Sequence, residues 1–147
     1  MFYVTPSYLP ALHYGGPTLS VSRLCGALQA EGQSVTVLST TANGPQELDV
    51  PRGQAVSVAG VPCWYYPRWT GDHSHFSPVL LWALWHKLPQ AQVVHIHSWW
   101  NLVVMPAVLL CRLRGVRPVL SPRGMLSPYT LRSPLKRLFQ RWVGAWL

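Results

Sequence analysis

Negative charge is nearly missing from this sequence. Its only acids are Glu31, Glu47, Asp49 and Asp72, and none follows Asp72. Charged residues of both signs make up 11% of the chain against 49% apolar ones, which excludes a disordered composition. Long apolar runs are missing too. The longest clean one, residues 102–111, is half of the roughly 20 residues that a spanning helix needs, and a proline interrupts it. The opening segment has neither a basic n-region nor an extended apolar h-region, so no secretory signal is expected and the chain is read as cytoplasmic. Cysteine is sparse. Cys25, Cys63 and Cys111 are odd in number, fit no disulfide or metal pattern, and are expected to be buried reduced thiols. The sequence also lacks a G-x-G-x-x-G fingerprint, a P-loop, an internal repeat and a low-complexity tract.

The positive charge is lopsided. Eight of the twelve basic residues fall between Arg112 and Arg141, and the net charge is +8. Such asymmetry points to an anionic partner: nucleic acid, a membrane surface or a phosphorylated substrate. The nucleic-acid reading rests on charge alone, because no RNA-binding signature or helix-turn-helix is present, and nucleic acid is not expected as a partner.

A chain of 147 residues is expected to form one domain. Residues 2–5 read as a short strand, and Pro6 and Pro10 then force an extended loop that ends in Tyr14-Gly15-Gly16-Pro17. Val21, Leu24, Cys25 and Leu28 fall on one helical stripe, which Gly32 terminates. Residues 35–38 are the next strand, so the segment is a βαβ unit, expected to be right-handed and parallel. A polar connection over 40–53 leads to two short strands within 54–66, broken at Gly60. The loop 67–77 is rich in His, Trp and Gly. A helix is predicted over 78–88 with Pro78 in its first turn. A strand over 93–96 ends near His97, an apolar helix covers 102–114 and stops at Gly115, and 119–120 is a strand. A last helix starts with Ser133 and Pro134 and runs to the end. The alternation predicts an α/β fold: a Rossmann-like, doubly wound, mostly parallel sheet.

Ligands of such sheets bind at the carboxyl ends of the strands. Three loops should gather there. Gly15 and Gly16 precede a helix N-terminus, where free N–H groups and a partial positive charge suit a phosphate; the plain alternative is a tight turn. His95 and His97 flank Ile96 and share one strand face, with His97 better placed to meet a ligand. A metal would need a third ligand, and none with sensible spacing is visible, so no metal is expected. The loop after His97 carries Trp99, Trp100 and Asn101. The third loop holds Arg123 and Gly124, and its guanidinium suits phosphate or carboxylate, or is simply solvated. The tryptophans are stacking platforms for a sugar, or core fillers. In the C-terminal helix, Leu135, Leu138, Phe139, Trp142 and Trp146 form one stripe. Arg132, Lys136, Arg137 and Arg141 lie beside it or opposite. The pattern suits either an anionic membrane surface or ordinary core packing.

Three segments carry a resemblance. Val4-Thr5-Pro6-Ser7-Tyr8 with Tyr14-Gly15-Gly16-Pro17 resembles the opening of the family-4 glycosyltransferases. Val94-His95-Ile96-His97-Ser98-Trp99-Trp100-Asn101 is similar to their V-H-x-H-x-x-W segment. Ser121-Pro122-Arg123-Gly124-Met125-Leu126-Ser127-Pro128-Tyr129 is similar to the S-P-R-G-M-L-x-P-W segment of members that build bacterial exopolysaccharides and lipopolysaccharides. The resemblance implies the N-terminal half of a GT-B enzyme, with its active site in the cleft between two Rossmann-like domains. This half would bind a glycan or lipid-linked acceptor, and the other half a nucleotide-sugar donor. Transfer would retain anomeric configuration without a metal. The resemblance places Gly15 and Gly16 near the donor phosphates and His97 near the transferred sugar, as the catalytic residue. Trp99, Asn101, Arg123 and Gly124 would line the substrate site.

One departure qualifies this. The family's donor half carries two glutamates separated by seven residues, and no acid follows Asp72 here. The chain is therefore expected to be a truncated half, inactive alone, working in the cytoplasm or at the inner face of the membrane. The alternative is a non-catalytic membrane or interaction module derived from such an enzyme.

Overall fold

A computed structural model of the chain describes residues 1–125. The strands are β1 (Phe2–Thr5), β2 (Thr36–Thr40), a small hairpin of β3 (Ala42–Asn43) and β4 (Gln46–Glu47), β5 (Ala55–Val58), β6 (Val61–Tyr66), β7 (Val93–His97) and β8 (Arg117–Ser121). The helices are α1 (Gly16–Ala30), α2 (Pro78–Lys87) and α3 (Val104–Leu113). One sheet has the order β5-β6-β2-β1-β7-β8. Its pairings are parallel except that of β5 with β6. This is the expected Rossmann-like α/β architecture. The central strand β1 lies between β2 and β7, so the strand order reverses beside it.

Side-chain alternation along the strands splits the core in two. Tyr3 and Val37 face α1 and pack with Val21, Cys25, Cys63 and Tyr65. Val4, Leu38, Val94 and Ile96 face the opposite way and pack with Leu80 and Leu84 of α2 and Val104, Ala107 and Val108 of α3. Cys25, Cys63 and Cys111 are free and buried, and burial pushes each thiol up to about 12. Inert packing groups are what such thiols make.

Boundaries differ from the sequence reading in several places: β2 runs on to Thr40 and β8 covers Arg117–Ser121, longer than the 119–120 expected. The helix expected over 102–114 begins at Val104, after a turn in which Asn101 Oδ1 accepts hydrogen bonds from the Val103 and Val104 amides (3.1 and 2.8 Å) in the manner of an N-cap. The polar connection after β2 contains the β3–β4 hairpin. Arg68 clamps that hairpin to the 67–77 loop: its guanidinium pairs with Glu47 and donates to the carbonyls of Gly44 and Gln46.

Gly32 and Gly115 end α1 and α3 as expected. Gln33 N–H bonds to the Leu28 carbonyl and Val116 N–H to that of Cys111, the six-to-one closure of a Schellman motif. Two glycines of the α1 region should then respond oppositely to alanine. Gly32 sits at φ +80°, so Gly32→Ala is expected to cost about 1 kcal/mol. Gly26 lies inside α1 with nothing within 4 Å of an added Cβ, so Gly26→Ala should stabilise by roughly 0.5–1 kcal/mol. Urea unfolding of the two variants checks the signs.

Candidate functional site

The loops that leave the carboxyl ends of β1, β7 and β8 enclose a cavity of ≈ 300 Å³. Thr5, Pro6 and Ser7 come from the first, His97, Ser98, Trp100 and Asn101 from the second, and Arg123 and Met125 from the third. Pro17, Thr18 and Val21 of α1 and Tyr14, His73 and His75 complete the lining. The cavity stands where the strand order reverses, the place at which doubly wound sheets bind ligands. Its size is at the lower end of the range for small-molecule sites.

His97 is the most constrained side chain there. It ends β7, is 2% exposed, and stacks against His95 (4.2 Å between ring centroids) and Tyr3 (5.4 Å). Burial, with the neighbouring His95 and the Arg123 guanidinium, pushes its pKa down to about 3, so the ring is neutral. Arg123 Nε and Nη2 lie 3.4 Å from His97 Nδ1. A guanidinium only donates, so Nδ1 accepts and the proton sits on Nε2. That Nε2 is buried and has no partner among the described residues. It is a preset hydrogen-bond donor. His95 is held separately, its Nε2 2.6 Å from Ser121 Oγ, and desolvation lowers its pKa as well.

Arg123 Nη1 also donates to Ser20 Oγ of α1 (2.8 Å), which ties the β8 loop to the helix. Arg123 and Gly124 both have positive φ, and Met125 N–H bonds to the Pro122 carbonyl across them. Positive φ at both central residues is the signature of a type I′ turn. Four non-glycine residues adopt positive φ among those described: Ala59, His75, Ser98 and Arg123. All but Ala59 line the cavity. Backbone strain of this kind costs of order 1–3 kcal/mol per residue and gathers at ligand sites.

The sequence-derived residues are sorted by this geometry. His97, Asn101 and Arg123 meet at the cavity. Gly15 caps α1 at φ +58° and Gly16 opens it, so both adjoin the wall made by Tyr14, Pro17 and Thr18 without lining it. Gly124 occupies the turn beside Arg123. Trp99 is a correction: it is 2% exposed and packs in the core with Val103 and Ile96. Ser98, at φ +81°, rotates the chain at the strand exit, so Trp100 turns to the cavity instead, and its Nε1 donates to the Met125 carbonyl (2.9 Å). His75, from the His-rich 67–77 loop and given no role by the sequence reading, also lines the cavity, buried, its pKa pushed down to about 4 by desolvation and then by Arg68. Its partners come from loops, and no periodic signal announces them. Among the described residues no group of His, Cys, Asp or Glu is placed to hold a metal ion, and no helix is long and apolar enough to cross a membrane. Arg132, Lys136, Arg137, Arg141 and Trp142, assigned to a membrane-facing helix, lie outside the described residues.

Electrostatically the cavity is one-sided. Arg123 and the N-terminal end of α1 supply positive potential, and among the described residues no carboxylate lines it. A family model described as a glycosyl transferase 4-like domain matches residues 15–147. No curated protein and no solved structure matches the chain.

Proposed function

This chain belongs to the glycosyl transferase 4-like family, and on that premise we propose that it forms the acceptor-side half of a retaining glycosyltransferase. The reaction would move a sugar from a nucleotide-sugar donor to a glycan or lipid-linked acceptor, without a metal. A second Rossmann-like domain facing the cavity would hold the donor. In this reading the reacting sugar lies against His97, whose Nε2–H donates to it. Arg123 and the α1 N-terminus, opened by Gly15 and Gly16, neutralise the donor phosphates as the two domains close. Asn101 orients the sugar from the side.

One observation carries this reading. A buried neutral imidazole whose N–H has no partner among the described residues, a guanidinium and a helix N-terminus converge on one cavity at the strand-order reversal, which no described carboxylate lines. Anionic leaving groups need such donors, placed before the charge develops.

The chain carries no acid after Asp72, and so none of the paired glutamates that the family uses for the donor. Transfer should therefore require a partner domain. Radiolabelled nucleotide sugars with a bacterial lipid extract provide the assay. The 147-residue chain alone should give no turnover, and addition of a donor domain with the Glu-x7-Glu pair should restore it. Transfer by the chain alone would overturn the half-site assignment, and silence in both arms would overturn the transferase reading.

A further inference from the structure

A second cavity, of ≈ 250 Å³, adjoins the first. Segments remote in sequence enclose it: the turn Leu12–Tyr14, the tip of the β3–β4 hairpin and the 67–77 loop. Tyr14 and His73 line both cavities, so they stand between them. The enclosing segments are locked together. Asn43 Oδ1 accepts from the His13 amide (3.3 Å), and Arg68 Nη2 donates to the Gly44 carbonyl (2.7 Å). Gly44 meets His13 so closely that an added Cβ would lie 2.6 Å from its ring. The space is smaller than a drug-sized ligand needs and suits a single sugar ring.

The walls carry the chemistry that recognises such a ring. His13 and Tyr14 present aromatic rings with centroids 5.4 Å apart, and aromatic faces cover the C–H face of a sugar. Asp72 supplies an exposed carboxylate. Its Oδ1 accepts from the Ser74 amide and hydroxyl (3.0 and 2.5 Å), and these bonds hold the group below the usual carboxylate range, so it is ionised at neutral pH. An ionised carboxylate only accepts, and sugar hydroxyls are its natural donors. Among the described residues no lysine or arginine lines this cavity, and the nearby Arg68 already pairs with Glu47. A phosphate or uronate would meet repulsion from Asp72 here, whereas Arg123 attracts anions to the first cavity. His75 sits at the partition, its ring against Tyr14 (5.5 Å) and His73 (6.3 Å), and its Nδ1 is buried with no partner among the described residues.

We propose that the second cavity is a subsite for an uncharged pyranose of the acceptor, the sugar next to the one that receives the transfer. This rests on the transferase reading and narrows it: the acceptor is a glycan of at least two sugars. Its reacting sugar lies in the His97 cavity and its neighbour against His13, Tyr14 and Asp72, with a ring nitrogen of His75 between them.

Amide shifts of the isotope-labelled full chain test this near neutral pH, with neutral mono- and disaccharides of glucose, galactose, mannose and N-acetylglucosamine as probes. At least one disaccharide should shift the amides of Gly44, Gly71 and His73 and bind roughly tenfold tighter than its component sugars. Its counterpart ending in glucuronic acid should not shift them. Asp72→Asn keeps an oxygen for the Ser74 bonds. It should weaken the neutral disaccharide roughly tenfold, the worth of one hydrogen bond to a charged acceptor, and admit the uronate. Gly71→Leu places a side chain where an added Cβ meets nothing within 4 Å, and should remove the disaccharide's advantage while sparing monosaccharide binding. Both variants should keep the parent's melting temperature. The proposal is overturned if disaccharides bind no tighter than monosaccharides, if they shift only amides of the first cavity, if the uronate binds equally well, or if both folded variants bind as the parent does. Absence of all saccharide binding also overturns it, and the transfer assay with the donor domain then judges the transferase reading separately. Disaccharide shifts at the second cavity with a silent transfer assay would keep a sugar site and sink the transferase.

Discussion

Lowering the pH from 7 to 5 should remove about 4 kcal/mol of folding stability, roughly 2 kcal/mol for each of two buried histidines. His97 and His75 are held neutral in the fold, with pKa values pushed down to about 3 and about 4 from an ordinary 6.5. The unfolded chain therefore binds more protons than the folded one throughout that interval. Their contribution is fully present above about 6.5 and is lost as the pH falls toward the folded values. At pH 5 the unfolded imidazoles are protonated and the folded ones are not. The surroundings leave no relief: His97 faces His95 and Arg123, and His75 faces Arg68 and His73, with Asp72 and Glu47 only partly opposing. Against the 5–15 kcal/mol that holds a typical domain, the loss is large. Urea unfolding at the two pH values measures it. His97→Gln should remove a large share of the pH dependence, and a variant that keeps all of it would show that His97 is not held neutral by the fold.

The kinetic counterpart concerns the same histidine and its arginine. In a full-length homologue carrying these motifs, His97→Gln and Arg123→Ala should each lower kcat/KM by about 10²–10³, the range for losing one preset donor to developing charge. Glutamine is the informative replacement at His97, because a 2%-exposed ring cut back to alanine would open a hole in the core. Arg123 is exposed, so its removal should leave the melting temperature nearly unchanged. Arg123→Lys keeps the charge and loses the planar fork that reaches both His97 and Ser20, so recovery should be partial. If either variant retains full activity, or if the activity falls only in step with unfolding, the cavity is not where the sugar moves.

Much of this was legible in the sequence, for reasons that are local. Val21, Leu24, Cys25 and Leu28 announced α1, Gly32 and Gly115 announced the ends of α1 and α3, and the alternation around Ile96 put His95 and His97 on one face. The three loops were placed by the strand–helix alternation, since a doubly wound sheet brings strand ends together whatever the loops contain. Periodicity fails where a strand exits. Trp99 and Trp100 are adjacent, and which one reaches the cavity depends on one left-handed residue, Ser98, that no hydrophobic pattern encodes. His75 was hidden for a related reason. It is delivered by a loop whose shape comes from the Arg68 clamp and from Thr70, Asp72 and Ser74 bonding to each other, contacts that are remote or irregular in sequence.

The position of β1 at the centre of the sheet has a consequence in time. Its two neighbours are far apart along the chain: Val4 pairs with Leu38 on one side and with Ile96 on the other. On a ribosome adding 5–20 residues per second, β2 emerges within seconds of β1, whereas β7 follows roughly 5–20 s after β1. Through that interval the innermost strand of the finished sheet is an edge, with its backbone amides and carbonyls open to any passing strand. Long-range parallel pairing of this kind is slow to form in any case. The nascent chain therefore completes its ligand cavity only after β7 and β8 have joined β1, and the strand that ends most protected is the one that waits longest for cover.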